Sequence, residues 1–117
     1  MKTKINLAEK MDKIEGYYAP GIIADYNDNE VFLAKFKGAF PWHAHADTDD
    51  LFLVIRGEVD IEMRDRTVTL GPGELFVVPK GVEHRPVARE EAHVLLIEPR
   101  GEPNTGDAAT ATPKVRI

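Results

Sequence analysis

Apolar and polar positions change rhythm early in this chain. Near the start, Leu7, Met11 and Ile14 fall at i, i+4 and i+7, the spacing of an apolar stripe, so 6–13 (NLAEKMDK) predicts a short helix. From Gly21 onward the pattern becomes short apolar runs cut by turn residues: GIIADY, then NDN, then EVFLAKFK, then GAFP. The cleanest alternation sets Val59, Ile61 and Met63 against Asp60, Glu62 and Arg64, a strand with one wet face. Asp65-Arg66 then opens a turn into Thr67 to Leu70. Arg66 lacks glycine's freedom at positive φ, so a type I turn with a bulge is expected rather than the favoured two-residue turns.

GPGE at 71–74 marks another turn, followed by the strand LFVVP, a tight PKG turn, EHRPVA and a further strand AHVLLIEP. Apolar runs recur at roughly 8 to 12 residues with no helical segment between them, which predicts an all-β sandwich or barrel. After Pro99 the chain reads RGEPNTGDAATATPKVRI, small and polar until Val115 and Ile117. Such a tail buries no core of its own and is expected to be disordered or laid across another surface, such as a partner subunit's sheet. The organisation expected is an N-terminal flap over 1–20, a barrel over 21–100 and an extended or disordered tail over 101–117.

Composition narrows the chemistry. A length of 117 residues suits one domain with one core. The absence of cysteine removes disulfides, thiolate ligands and thiol nucleophiles, and the absence of serine removes a Ser-His-Asp mechanism. Threonine, general acid/base or metal chemistry is left. A net charge of −5, with acids at Asp47, Asp49, Asp50, Glu90 and Glu91 and no basic stripe, argues against nucleic acid as a partner. No apolar run approaches the roughly 18 to 20 residues that span a bilayer, and MKTKINLAEKMDK lacks the apolar stretch of a secretory signal, so a cytoplasmic protein with no membrane partner is expected.

His43 and His45 stand two apart, so on a strand both imidazoles share a face, and imidazoles beside a carboxylate suit a divalent transition metal. Alone, this pair also fits two surface histidines beside a turn. The surrounding punctuation is more specific. It runs Gly38, four residues, His43, one, His45, four, Asp50, six, Gly57; later it runs Gly73, five residues, Pro79, one, Gly81, two, His84. These blocks resemble the paired signature motifs of the cupin superfamily, with the likeness spanning about Gly38 to Ala88 in a small single-domain member. The resemblance implies a double-sheet jelly-roll barrel and a metal (Mn, Fe, Co, Ni, Cu or Zn) held by His43, His45, Asp50 and His84. Asp50 departs from the usual glutamate by one methylene, which puts four-ligand coordination in question; three histidines alone would still hold a metal. Ala88 replaces a frequent asparagine, and the first spacer is one residue short of the commonest form.

Around these residues, Asp50 shares a strand face with Phe52 and Val54, the expected barrel interior. Phe40 and Trp42 flank His43 as candidates for the pocket mouth or for ordinary packing. His93 is expected to be structural, with a substrate-side role only if it faces inward with Leu95 and Ile97. Asp47 and Asp49 read as a solvated rim. Arg56, Arg64 and Arg85 are the cations that could meet an anion, with Arg64 expected to face water and Arg85 to point away from the metal.

The family resemblance covers sugar-phosphate isomerases, dioxygenases, lyases and decarboxylases, and members of this size are often labelled phosphomannose-isomerase-like; fold cannot choose among these activities. The leading reading is a metal-dependent enzyme of isomerase or dioxygenase type acting on a small oxygen-containing molecule. The alternatives are a non-catalytic metal or small-molecule binding protein, such as a sensor or carrier, and a metal-free barrel acting through subunit contacts. No dedicated phosphate clamp is visible, which weighs against sugar phosphates. A homodimer is expected, because small barrels leave sheet edges that pairing protects.

Overall fold

The structure, a computed structural model, describes residues 3–117; Met1 and Lys2, the first two positions of the expected flap, lie outside the described residues. The elements are α1 (Leu7–Met11), β1 (Gly21–Tyr26), β2 (Asn29–Ala39), β3 (Asp50–Arg56), β4 (Val59–Met63), β5 (Thr67–Leu70), β6 (Leu75–Val78), β7 (His84–Pro99) and β8 (Val115–Arg116). Asn6 caps α1, its side chain accepting from the Glu9 N–H at 3.0 Å. The predicted stripe is present: Met11 and Ile14 pack on Leu33, with Leu7, Ile55 and Leu95 around them. The short helix thus seals the outer face of the sheet rather than entering the barrel.

β7 organises the barrel. It pairs with β2 along most of its length, with β4 against its first residues and β3 against its last. The β2–β7 register passes from Phe36↔Ala92 to Gly38↔Ala88, so Lys37 on one strand faces Arg89, Glu90 and Glu91 on the other. Extra residues of this kind bend and twist a strand, which lets β7 serve both layers of the jelly roll. The charged stretch that reads in sequence as a break between EHRPVA and AHVLLIEP is therefore the bend of one strand. Gly57, at φ +84, lies against this bend; a Cβ there would come within 2.9 Å of the Glu91 carbonyl oxygen.

The alternation expected of β3 and β4 is realised: Asp50, Phe52, Val54, Val59, Ile61 and Met63 are buried. The β4–β5 turn closes with the Met63 N–H donating to the Arg66 carbonyl at 2.8 Å, and no residue in it has positive φ, so no left-handed bulge residue is used.

The tail lies back along its own chain. Val115 and Arg116 run parallel to Gly21 and Ile22, so the strand that sequence suggested could join a neighbour's sheet extends this chain's own β1. Arg116 and Arg100 both donate to Asp25, at 3.0 and 2.9 Å. Lys114 is buried with Nζ 3.4 Å from Glu98 and 3.7 Å from Glu30. Among the described residues no helix is long and apolar enough to cross a membrane.

Candidate metal centre

His43 and His45 lie in the loop between β2 and β3 rather than in a regular strand. Their common direction is imposed from outside. His43 and His84 exchange backbone hydrogen bonds of 3.0 and 2.9 Å, and the Gly81 N–H donates to the His45 carbonyl at 2.8 Å. The PKG turn of the second sequence block thereby fixes the histidines of the first. Asp50 opens β3 opposite Val78 and points inward by the same alternation that buries Phe52.

All four side chains are buried, and their ligand atoms lie within 4.8 Å of one another. Each imidazole has its Nδ1 occupied. His43 Nδ1–H donates to the Pro41 carbonyl at 2.8 Å, His84 Nδ1–H to the Val82 carbonyl at 2.8 Å, and His45 Nδ1–H to the Glu102 carboxylate at 2.9 Å. A carbonyl oxygen only accepts, so the proton is on Nδ1 and each Nε2 is left for the centre, the arrangement found around metal-bound histidines. The three Nε2 atoms stand 3.9, 3.3 and 2.9 Å from Asp50 Oδ2 for His43, His45 and His84. The shorter carboxylate therefore reaches the histidine cluster. Among the described residues, His45 Nε2 and Asp50 Oδ1 are buried without a hydrogen-bond partner, the condition a cation would relieve. The cluster could hold a metal ion.

Titration follows the surroundings. Burial, above all, pulls His43 down to about 4. Burial also disfavours charge on His45, but the Asp50 carboxylate and then Glu102 outweigh it and raise His45 to about 9. Asp50 is held below its ordinary value, because His45 and His84 overcome the cost of its burial. Glu98 is pushed up to about 8 by burial and then by the charge of Asp50.

A cavity opens beside His43 and Asp50, and a water centre can range over about 30 Å³ within it. Phe32, Phe36, Phe52 and Leu96 form its barrel side, and Tyr18 and Phe40 also line it, their ring centres 4.8 Å apart and the planes tilted by 41°. Of the expected pocket residues, Phe40 and Phe52 are there and three others are not. Val54 is fully buried one layer away in the core. Trp42 lies outside the cavity, with the Arg64 guanidinium 3.7 Å from its ring centre and Arg85 at 5.1 Å. His93 is on the outer face, bonded to Glu91 at 2.8 Å, because the inward phase of β7 is Ala92, Val94, Leu96 and Glu98. Asp47 and Asp49 are exposed, and Asp49 accepts from the Lys80 N–H at 2.9 Å. Sequence reasoning missed Glu98, Glu102, Asn104 and Tyr18. The alternation of β7 could have revealed Glu98 once its phase was known; nothing in the sequence pointed to the other three.

Residues 31–98 match the cupin domain family model Cupin_2. The chain belongs to the cupin family. This cupin is similar to a cupin-2 domain containing protein from Shewanella frigidimarina NCIMB 400, at 46% identity and TM-score 0.81 over 82% of this chain and 94% of that one. It is also similar to protein NMB1881 from Neisseria meningitidis, at 32% identity and TM-score 0.76 over 83% and 99% of the two chains. Among curated proteins it is 37% identical to YdbB of Bacillus subtilis (strain 168) over 81 residues, 68% of this cupin and 72% of that protein.

Proposed function

We propose that this cupin is a metal-dependent enzyme acting on a small oxygen-containing molecule, with a divalent transition metal held by His43, His45, Asp50 and His84. The observation that carries this reading is the convergence of three Nε2 atoms on one buried carboxylate while every Nδ1 is already engaged. A metal bound there would polarise a substrate oxygen or provide a site for dioxygen, the chemistry of isomerase and dioxygenase types. The chain's own part is to fix the imidazole tautomers, exclude bulk water with the Tyr18–Phe40 pair, and present Glu98 as a second carboxyl beside the centre. Elemental analysis of protein purified without a tag or chelator tests the metal. About one equivalent of a transition metal in the wild type, lost in His43→Ala and His84→Ala, is the expected result. No metal, and no uptake of Mn, Fe, Co, Ni, Cu or Zn on titration, refutes it. Turnover in a substrate screen then separates an enzyme from a non-catalytic carrier or sensor.

We further propose a homodimer. Val77, Leu51, Ile97 and Val31 lie side by side on the outer face across four strands, with Leu75 and Leu53 in the next row. Leu75 and Val77 are exposed, and among the described residues β6 pairs only with β3, so an apolar face runs out to an open edge. Light scattering after size exclusion should give twice the chain mass of 13.1 kDa, reduced to a monomer by Leu75→Glu. A monomeric wild type refutes the assembly.

A further inference from the structure

Residues 101–117 reach the ligand cluster from outside the barrel strands. Glu102 accepts from His45 Nδ1–H at 2.9 Å. Gly106 lies so close to the loop carrying His43 and His45 that a Cβ on it would overlap the Ala44 carbonyl oxygen, and its φ of +75 also favours glycine. The segment thus forms part of the cover over the buried His45. Its internal bonds keep its shape: the N–H groups of Gly106 and Thr110 donate to Pro103 and Asp107, and that of Thr112 to the Asn104 side chain. Fewer bonds tie it to the rest of the chain. Besides Glu102 on His45, there are the Gly101 N–H on Glu30, Lys114 between Glu30 and Glu98, Arg116 on Asp25, backbone bonds from Val115 and Ile117, and Lys10 on the Ile117 carbonyl. Between the segment and the strands, with Ile22 and Glu30 on one side and Glu102 and Lys114 on the other, a water centre can range over about 350 Å³. A segment with little buried apolar contact and a gap beneath it opens at a lower free energy than the barrel as a whole.

We propose that 101–117 is a strap: it lifts to let a metal cation in or out on the Glu102 side of the cluster and, once closed, retains it. The proposal rests on the metal reading and adds the route and the segment that controls exchange. The other approach to the cluster is the cavity, whose wall includes Phe32, Phe36, Phe40, Phe52 and Leu96. A hydrated cation passing those rings would lose water with little to replace it, whereas the carboxylates of Glu30 and Glu102 line the gap beneath the strap.

The test follows release of Zn from the loaded full chain to excess EDTA, with hydrogen exchange over 101–117 measured on the same sample. Gly106→Ala changes no side chain that faces the metal but forces the strap off the Ala44 carbonyl, so release and strap exchange should speed up together, by about tenfold or more. Because that variant also presses on the ligand loop, Asp25→Ala is the deciding one. Asp25 bonds Arg100 and Arg116 and none of the ligands, and its loss should move both rates in the same direction by a smaller factor, since those pairs are exposed. Exchange in β3 and β7 should stay as in the wild type. Release within about twofold of wild type in Asp25→Ala while its strap exchange rises overturns the proposal, makes the cavity the route, and leaves the metal reading standing. Faster release without faster strap exchange also overturns it. So does strap exchange that is unchanged in both variants, or as slow in the wild type as that of β3 and β7, because the strap must open separately from the barrel. Protein that takes up no metal refutes the metal reading and the strap's role with it.

Discussion

Glu102 comes from the tail, yet it is the group that holds His45 in place, and its removal should be felt at the metal. The His45 Nδ1–Glu102 contact is 2.9 Å long, and the Glu102 side chain is only 19% exposed, so screening by solvent is limited. A hydrogen bond to a charged group of this kind contributes about 1.5–3 kcal/mol. At roughly 1.4 kcal/mol per factor of ten, Glu102→Ala should weaken metal binding about 10- to 100-fold. Glu102→Gln, which keeps an acceptor and loses the charge, should fall between that variant and the wild type. Competition with a chelating dye at two pH values is the assay. Glu102 also supports the proton on His45, which sits near 9 in the metal-free protein and competes with the ion. The two effects offset one another at neutral pH, so the loss should be larger near pH 9. An affinity in Glu102→Ala within about twofold of wild type at both pH values would falsify the reasoning, because the contact would then contribute less than ~0.5 kcal/mol.

The metal-free protein should lose stability as pH rises from 6.5 toward 9, read as a falling Tm. His45 is raised above its ordinary 6.5 to about 9, and Glu98 above 4.5 to about 8, so in both cases the folded state binds more protons than the unfolded one across that window. The metal-loaded protein should trend the other way over the same range, since binding displaces the His45 proton; parallel trends would refute the assignment. Gly57→Ala should destabilise by about 1–3 kcal/mol in urea unfolding, because it combines strain at φ +84 with a Cβ 2.9 Å from the Glu91 carbonyl oxygen. Lys114→Ala should leave Glu30 without its buried countercharge and release the tail, at a cost of about 3 kcal/mol. Hydrogen exchange over 101–117 should rise while that of β3 and β7 stays protected; unchanged exchange in the tail would count against it.

Short-range pattern determined much of this molecule. The alternation of Val59, Ile61 and Met63 fixed both the strand and its buried face, because successive side chains on a strand must point to opposite sides. The same rule placed Asp50 inward with Phe52, and the likeness of the two Gly-, Pro- and His-bearing blocks to the cupin motifs marked the four ligand candidates. Tertiary structure decided what pattern cannot encode. The pattern left the phase of β7 open: His93, Leu95 and Ile97 face out and Glu98 faces in, and with apolar residues on both faces of that strand only its neighbours, α1 outside and the core inside, distinguish the two sides. The bend at Arg89 to Glu91 likewise depends on pairing with β2 at both ends. The tail held the least local signal and the most non-local consequence. Nothing in its small polar sequence predicts that Lys114 finds Glu30 and Glu98, or that Glu102 meets His45, 57 positions away, because those contacts exist only once the barrel has brought the distant partners together.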